Sequence, residues 1–161
     1  MMKFVIRDAI WPQDRAAARS FIDGSQKFEK TFEPNRRVDS TVASEYFDVL
    51  IDAAANHGGI VRIAEAGGRA AGWVVAWIEL DDPYVLAEEL RYAYISELFV
   101  EEDFRGMGIG RALIGECEAW GRAQGTRVMQ IGVLPGNDRA AKIYGRAGYA
   151  PYGWRLRKYI A

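Results

Sequence analysis

The chain has 161 residues, half of them hydrophobic and 27% charged, and its 21 Lys and Arg against 22 Asp and Glu leave a net charge of −1. That length suits one domain with a sizeable core, so residues 1–161 are expected to fold as one. The near-neutral balance excludes a broad nucleic-acid face, and the apolar share excludes a disordered chain.

No apolar run reaches the roughly eighteen residues of a membrane span, and MMKFVIRDAI does not resemble a cleaved leader, so a cytoplasmic protein with no membrane partner is expected. Phe4 to Arg7 reads as a short strand, and Pro12-Gln13-Asp14 opens a helix carrying Ala16, Ala17, Phe21 and Ile22 at helical spacing. Asp23 to Ser40 is polar, holds Gly24 and Pro34 and shows no period, so it is expected to be mostly loop. A loop of that length serves a ligand or simply connects, which makes Phe28, Phe32, Arg36 and Arg37 candidates for the border of a site. A second helix is expected from about Thr41 to Asn56. His57, the single histidine, follows it and reads as a cap rather than a metal ligand or catalyst.

Ile60 to Ala66 and Arg69 to Leu80 read as strands joined through Gly67-Gly68, a hairpin whose second strand puts Trp73 and Trp77 on one face. Asp81 to Leu90 interrupts the sheet and brings Asp81, Asp82, Glu88 and Glu89 together. A central strand from Tyr92 leads through an acidic turn and Arg105-Gly106-Met107-Gly108-Ile109-Gly110 into a helix ending near Gly125. Cys117, the single cysteine, lies on that helix's apolar stripe with Ile109, Leu113 and Trp120, so it reads as core and excludes an internal disulfide or a cysteine-cluster metal site. Val128 to Val133 follows as a strand, Asn137 caps a helix that stops at Gly148, and the tail YAPYGWRLRKYI reads as a closing strand pair.

A strand that passes through a glycine-rich turn into a helix aims several backbone N–H groups and the positive end of the helix dipole at one point. An anion can approach that main chain closely because the glycines carry no Cβ, and Arg105 adds a fixed charge. The spacing is neither a P-loop, since no Lys follows the glycines, nor a dinucleotide fingerprint, since Arg111 stands where its last glycine belongs. Arg105-x-x-Gly108-x-Gly110 resembles the acetyl-CoA loop of the GCN5-related N-acetyltransferase (GNAT) superfamily. Asn137, Ala140 and Tyr144, followed by Gly148-Tyr149, resemble the second acetyl-CoA motif of the same superfamily, and Asn137 and Tyr144 share a helix face. The likeness spans roughly Gly59 to Tyr149, with one departure: Glu102 stands where many relatives carry a proline, which loosens the turn without removing an N–H.

The resemblance implies an α/β (α+β) fold, with a mixed and mostly antiparallel sheet of about six to seven strands flanked by about four helices. It further implies acetyl-CoA as cosubstrate, no metal, and a binding set of Leu98, Phe99, Val100, Arg105, Gly106, Met107, Gly108, Ile109, Gly110, Arg111, Asn137, Ala140 and Tyr144. The implied reaction is direct attack of a primary amine on the acetyl thioester. An alkylamine with pKa near 10.4 loses about 4.6 kcal/mol on being presented neutral at pH 7, unless a base assists. Glu97 on the central strand is the best-placed base, its other reading being a salt-bridged strand carboxylate. Tyr144 is the expected proton donor to the leaving thiolate, and the backbone N–H groups of Leu98 and Val100 are the expected partners of the carbonyl oxygen. A small cationic amine is the expected acceptor, drawn by the carboxylates of Asp81, Asp82, Glu88 and Glu89 and held by Trp77, Tyr84, Tyr92 and Tyr94. A protein or peptide amine, a longer acyl group, a catalytically silent acyl-CoA-binding module and an unrelated anion-binding domain remain as alternatives, and a homodimer is a further expectation.

Overall fold

The computed structural model describes residues 3–160. The elements run β1 (Phe4–Asp8), α1 (Arg15–Glu29), α2 (Val42–Asn56), β2 (Ile60–Ala66), β3 (Arg69–Leu80), β4 (Arg91–Val100), α3 (Ile109–Ala123), β5 (Met129–Ile131) and α4 (Asp138–Arg146). The strands form one sheet in sequence order, antiparallel from β1 to β4 and parallel between β4 and β5. This is the expected mixed, mostly antiparallel architecture with four helices, but the sheet has five strands rather than six or seven. The difference lies in the tail: residues 149–160 form neither helix nor strand, so the expected closing pair is not there.

β3 is buried continuously from Ala71 to Ile78 because helices cover both faces of the sheet, and a strand in that position reads as an apolar run rather than an alternation. On one face, Ile95, Ile109, Leu113, Ile114 and Cys117 pack α3 against Ala64, Val74 and Ala76. On the other, Phe21, Ile22, Phe47 and Leu50 of α1 and α2 pack against Ile63, Trp73, Val75 and Trp77. Trp73 and Trp77 therefore share a face, as their spacing requires, and Cys117 is core, its thiol pushed up to about 12 by burial. Each fully buried Leu or Ile in these layers contributes about 1.5–3 kcal/mol, enough to fix the helices against the sheet to which they bring their side chains.

α1 corrects the sequence reading, since it continues through Gly24 to Glu29 where loop was expected. A Cβ at position 24 would lie 2.6 Å from Phe99 Cζ, so glycine is needed there for the helix to lie against β4. Close packing has overridden the local helix-breaking signal. The rest of the segment is loop, in which Arg37 pairs with Asp39 and Glu45 near the start of α2. His57 is the residue that ends α2, its N–H bonded to the Ala53 carbonyl.

Candidate active site

β4 is where the two halves of a site meet. It pairs with β5 only from Ala93 to Ile95, and beyond that point its β5-facing edge has no partner strand. A bulge in β4 marks the same place: Glu97 lies opposite Val75 and Ile95 opposite Ala76, which leaves Ser96 unmatched. The extra residue changes which side each N–H faces. Ala93 donates to Val128 ahead of β5, yet Glu101 donates to Ala71 on the β3 side. By alternation back from Glu101, the N–H groups of Leu98 and Val100 point toward the opening between β4 and β5.

The glycine turn closes one end of this opening. After a short turn of 3-10 helix at Glu102–Phe104, with Phe104 buried as its anchor, Gly106 and Gly108 hold φ of +81° and +85°. Nothing lies within 4 Å of where their Cβ atoms would be, so the main chain there is open to a ligand. Ile109 begins α3, which puts the free N–H groups of its first turn at Gly108 to Arg111, beside Met107. Arg105 donates from Nε to the Val100 carbonyl at 3.0 Å, and its guanidinium lies 5.7 Å from the Phe99 ring centroid, which fixes the stem of the side chain at the end of β4. Glu102 and Asp103, the acids of the turn, are exposed. Opposite, Asn137 caps α4 by accepting the Ala140 N–H at 3.2 Å, and Tyr144 on α4 packs against the α3-side core and lies 6.2 Å from Tyr149 between ring centroids.

Glu97 and Phe99 face the other way, toward α1 and α2. Glu97 is 8% exposed, and its carboxyl is pushed up to about 7, first by burial and then by the negative charge of Glu29; Tyr46, Arg36 and Ser25 pull it back. Among the described residues it forms no salt bridge within 4 Å, and the alternative reading as a salt-bridged strand carboxylate needs one. Tyr144 is pushed up to about 12 by burial and by the charges of Glu29 and Glu97, so both candidates for proton transfer share one electrostatic neighbourhood. Sequence reasoning missed Ser25, Glu29 and Tyr46, which come from elements far from β4 in the chain. It also placed the acceptor's carboxylates in the Asp81 to Glu89 loop, which lies about 20 Å back along β4 from Glu97 at ~3.3 Å per residue. Nearer ones exist: Glu29 and Glu33 flank Arg36 at 3.2 and 3.0 Å.

A sequence model of the acetyltransferase (GNAT) family matches residues 25–149. The chain belongs to that family. Over 90 residues it is 33% identical to an uncharacterized N-acetyltransferase of Methanocaldococcus jannaschii, an alignment that takes in 54% of this chain and 37% of the relative. The GNAT fold is shared at greater length with solved structures. A Bacillus halodurans protein superposes with a TM-score of 0.81 at 21% identity, over 98% of this chain and 99% of that one. An aminoglycoside N-acetyltransferase bound to a CoA–acetylneamine bisubstrate analogue superposes with a TM-score of 0.70 at 21% identity, over 99% of this chain and 98% of that one. Acetyl-CoA is the acyl donor of GNAT enzymes, and the residues present fit it: Gly106 and Gly108 leave the main chain open, α3 starts at Ile109, and β4 beyond Ile95 has no pairing with β5. Among the described residues no helix is long and apolar enough to cross a membrane.

Proposed function

We propose that the protein is an acetyl-CoA-dependent N-acetyltransferase whose acceptor is a small cationic primary amine. The observation that carries the chemistry is Glu97, a buried carboxyl with pKa of about 7 at the bulge where the sheet opens. A base poised near the working pH accepts a proton efficiently and is still ionised about half the time. Acetyl-CoA supplies the activated acetyl group, held through its pyrophosphate by Arg105 and the N–H groups of Gly106 to Arg111. Leu98 and Val100 present N–H groups toward the thioester carbonyl oxygen, where donors fixed in advance lower the barrier as charge builds. Asn137 and Ala140 set the start of α4, and Tyr144 lies on the same face one turn further on.

Glu97 takes the proton from the amine nitrogen, directly or through one water. Tyr144 remains protonated throughout the physiological range, since its hydroxyl is held at about 12. A phenol that weakly acidic gives its proton only uphill to a thiolate of pKa near 8.5, so its main contribution is a hydrogen bond to the departing sulfur. A tyrosine in this position argues against a catalytically silent acyl-CoA module.

Tyr94 supports the cationic acceptor. Its hydroxyl is pushed up first by burial and then by the charges of Glu97, Glu79 and Glu29 against the opposing charge of Arg155, so three carboxylates and one cation lie around this aromatic, with the carboxylates in excess. Trp77 packs edge-on to it at 5.8 Å, giving the apolar part of an amine a wall. A fold neighbour that holds an acetylated aminoglycoside analogue agrees with this reading. The test is release of free CoA thiol with a panel of polyamines, aminoglycosides, neutral amines and peptides with free N-termini or lysines. Cationic small amines should react fastest, with KM rising as salt screens the carboxylates. Turnover of the peptides alone would overturn the acceptor assignment and leave the acetyl-transfer reading intact.

A further inference from the structure

Between the end of α1, the loop after it and α2 lies a cavity of about 330 Å³. Its wall includes Gln26 of α1, Arg36 and Arg37 of the loop, and Val42, Tyr46 and Val49 of α2. Tyr46 is one of the groups that hydrogen-bond Glu97, and Ser25, the residue before Gln26, is another, so the cavity adjoins the base. At about 30 Å³ for each water of the liquid, it holds about eleven waters, or one six-membered ring with its substituents.

The polar groups of this wall are not equally free. Arg36 lies between Glu29 and Glu33, at 3.2 and 3.0 Å, and Arg37 lies between Asp39 and Glu45, both at 2.8 Å. Each guanidinium already has two carboxylates, so neither is left to receive an acidic group. Gln26 differs. It is 6% exposed, and while Arg19 and Lys27 on the same helix donate to Ser44 and Asp23, the Gln26 side chain has no hydrogen-bond partner among the described residues. A primary amide carries two N–H donors and a carbonyl acceptor, and a folded chain ordinarily gives such a buried group something to bond. A neutral group that both donates and accepts satisfies it. A hydroxyl on a ring does so while the ring's C–H face lies on Val42 and Val49, whereas the methylenes of a linear polyamine offer the amide nothing.

We propose that Gln26 selects the acceptor by hydrogen-bonding a neutral hydroxyl, so that the preferred substrate is a hydroxylated ring amine, an amino sugar or aminocyclitol, rather than a linear polyamine. This rests on the cationic-amine reading and narrows it: the amine meets Glu97 and the hydroxyls fill the cavity.

The probes are deoxystreptamine, a cyclohexane ring with two amines and three hydroxyls, and the cyclohexanediamine that lacks the hydroxyls. With saturating acetyl-CoA and free thiol as the readout, the unaltered protein should have the higher kcat/KM for the hydroxylated ring. The two amines differ in basicity, and comparison with a variant cancels that difference. Gln26→Met keeps the length of the side chain and removes its polar atoms, so it should lower the ratio of the two kcat/KM values about 10- to 100-fold, with CoA affinity by calorimetry unchanged. Should it fail to fold by circular dichroism, Gln26→Ala replaces it with the same expected change. Faster turnover of the bare ring by the unaltered protein, or a ratio that survives the substitution, would overturn the proposal and leave the cationic-amine reading standing. Turnover of peptides with neither ring acetylated would overturn that reading, and this proposal with it.

Discussion

The two sides of β4 are built by different means. The side facing α3 and α4 presents main chain: the N–H groups of Leu98 and Val100, the glycines of the turn and the first turn of α3. The side facing α1 and α2 presents side chains: Glu97 and Tyr94 from the strand, Ser25, Glu29 and Arg36 from α1 and the loop after it, and Tyr46 from α2. A main-chain site is written locally, because only glycine tolerates the backbone angles and the close approach it needs. A side-chain site is written by the packing of distant elements, so one side of the strand can keep its cosubstrate while the other changes its acceptor.

The sharpest way to break that division is Glu97→Gln, which touches only the side-chain half. Its catalytic rate should fall about 10²- to 10⁴-fold while CoA affinity by calorimetry is unchanged. The same variant should be more stable. The carboxyl's folded value of about 7 lies above its unfolded value near 4.5, so ionising Glu97 opposes folding. That penalty is absent below pH 4.5, grows as pH rises through the window up to 7, and reaches about 3 kcal/mol above it. Thermal melts should therefore show the variant gaining stability at pH 8 and nothing at pH 4. Tyr144→Phe comes next, removing one hydroxyl that donates across the divide. It should slow turnover about 10²-fold and leave the fold and CoA binding intact. If turnover survives when chemistry is rate-limiting, Tyr144 is a packing residue.

On the main-chain side the effects are smaller and opposite in kind. Arg105→Ala should weaken CoA by about 1.5–3 kcal/mol, the worth of a hydrogen bond to a charged group, with the Glu97 ionisation unmoved. Unchanged calorimetric affinity would remove Arg105 from the pyrophosphate site. Gly108→Ala should cost the least, about 1–2 kcal/mol of folding stability by thermal melt, since a φ of +85° strains alanine even though nothing lies within 4 Å of its Cβ. A larger loss would show that the turn is packed rather than open.

The same contrast explains what could be read in the sequence. The hairpin from Ile60 through Gly67-Gly68 to Leu80, the glycine turn and the Asn137 cap came out as expected, because period, turn chemistry and capping are all local signals. The sheet does carry a bulge in the central strand, at Ser96. The end of α1 was misread as loop because Gly24 is a helix breaker by propensity, and only the Phe99 ring against it shows why the helix continues. With that segment went Ser25 and Glu29. The tail, expected as a closing strand pair, forms neither strand, because aromatic and apolar residues favour a strand only where a neighbouring strand pairs with them.

The measurement that tests the central claim most directly is the pH dependence of kcat/KM for the amine acceptor in the unaltered protein and in Glu97→Gln. Because Glu97 takes the proton of the bound ammonium, only Glu97 must be ionised beforehand, whereas without it the amine must arrive already neutral. The unaltered protein should therefore rise with a logarithmic slope of about one below about pH 7 and level off above it, while Glu97→Gln keeps a slope of about one throughout. Profiles of the same shape in both proteins would contradict the assignment of Glu97 as the base.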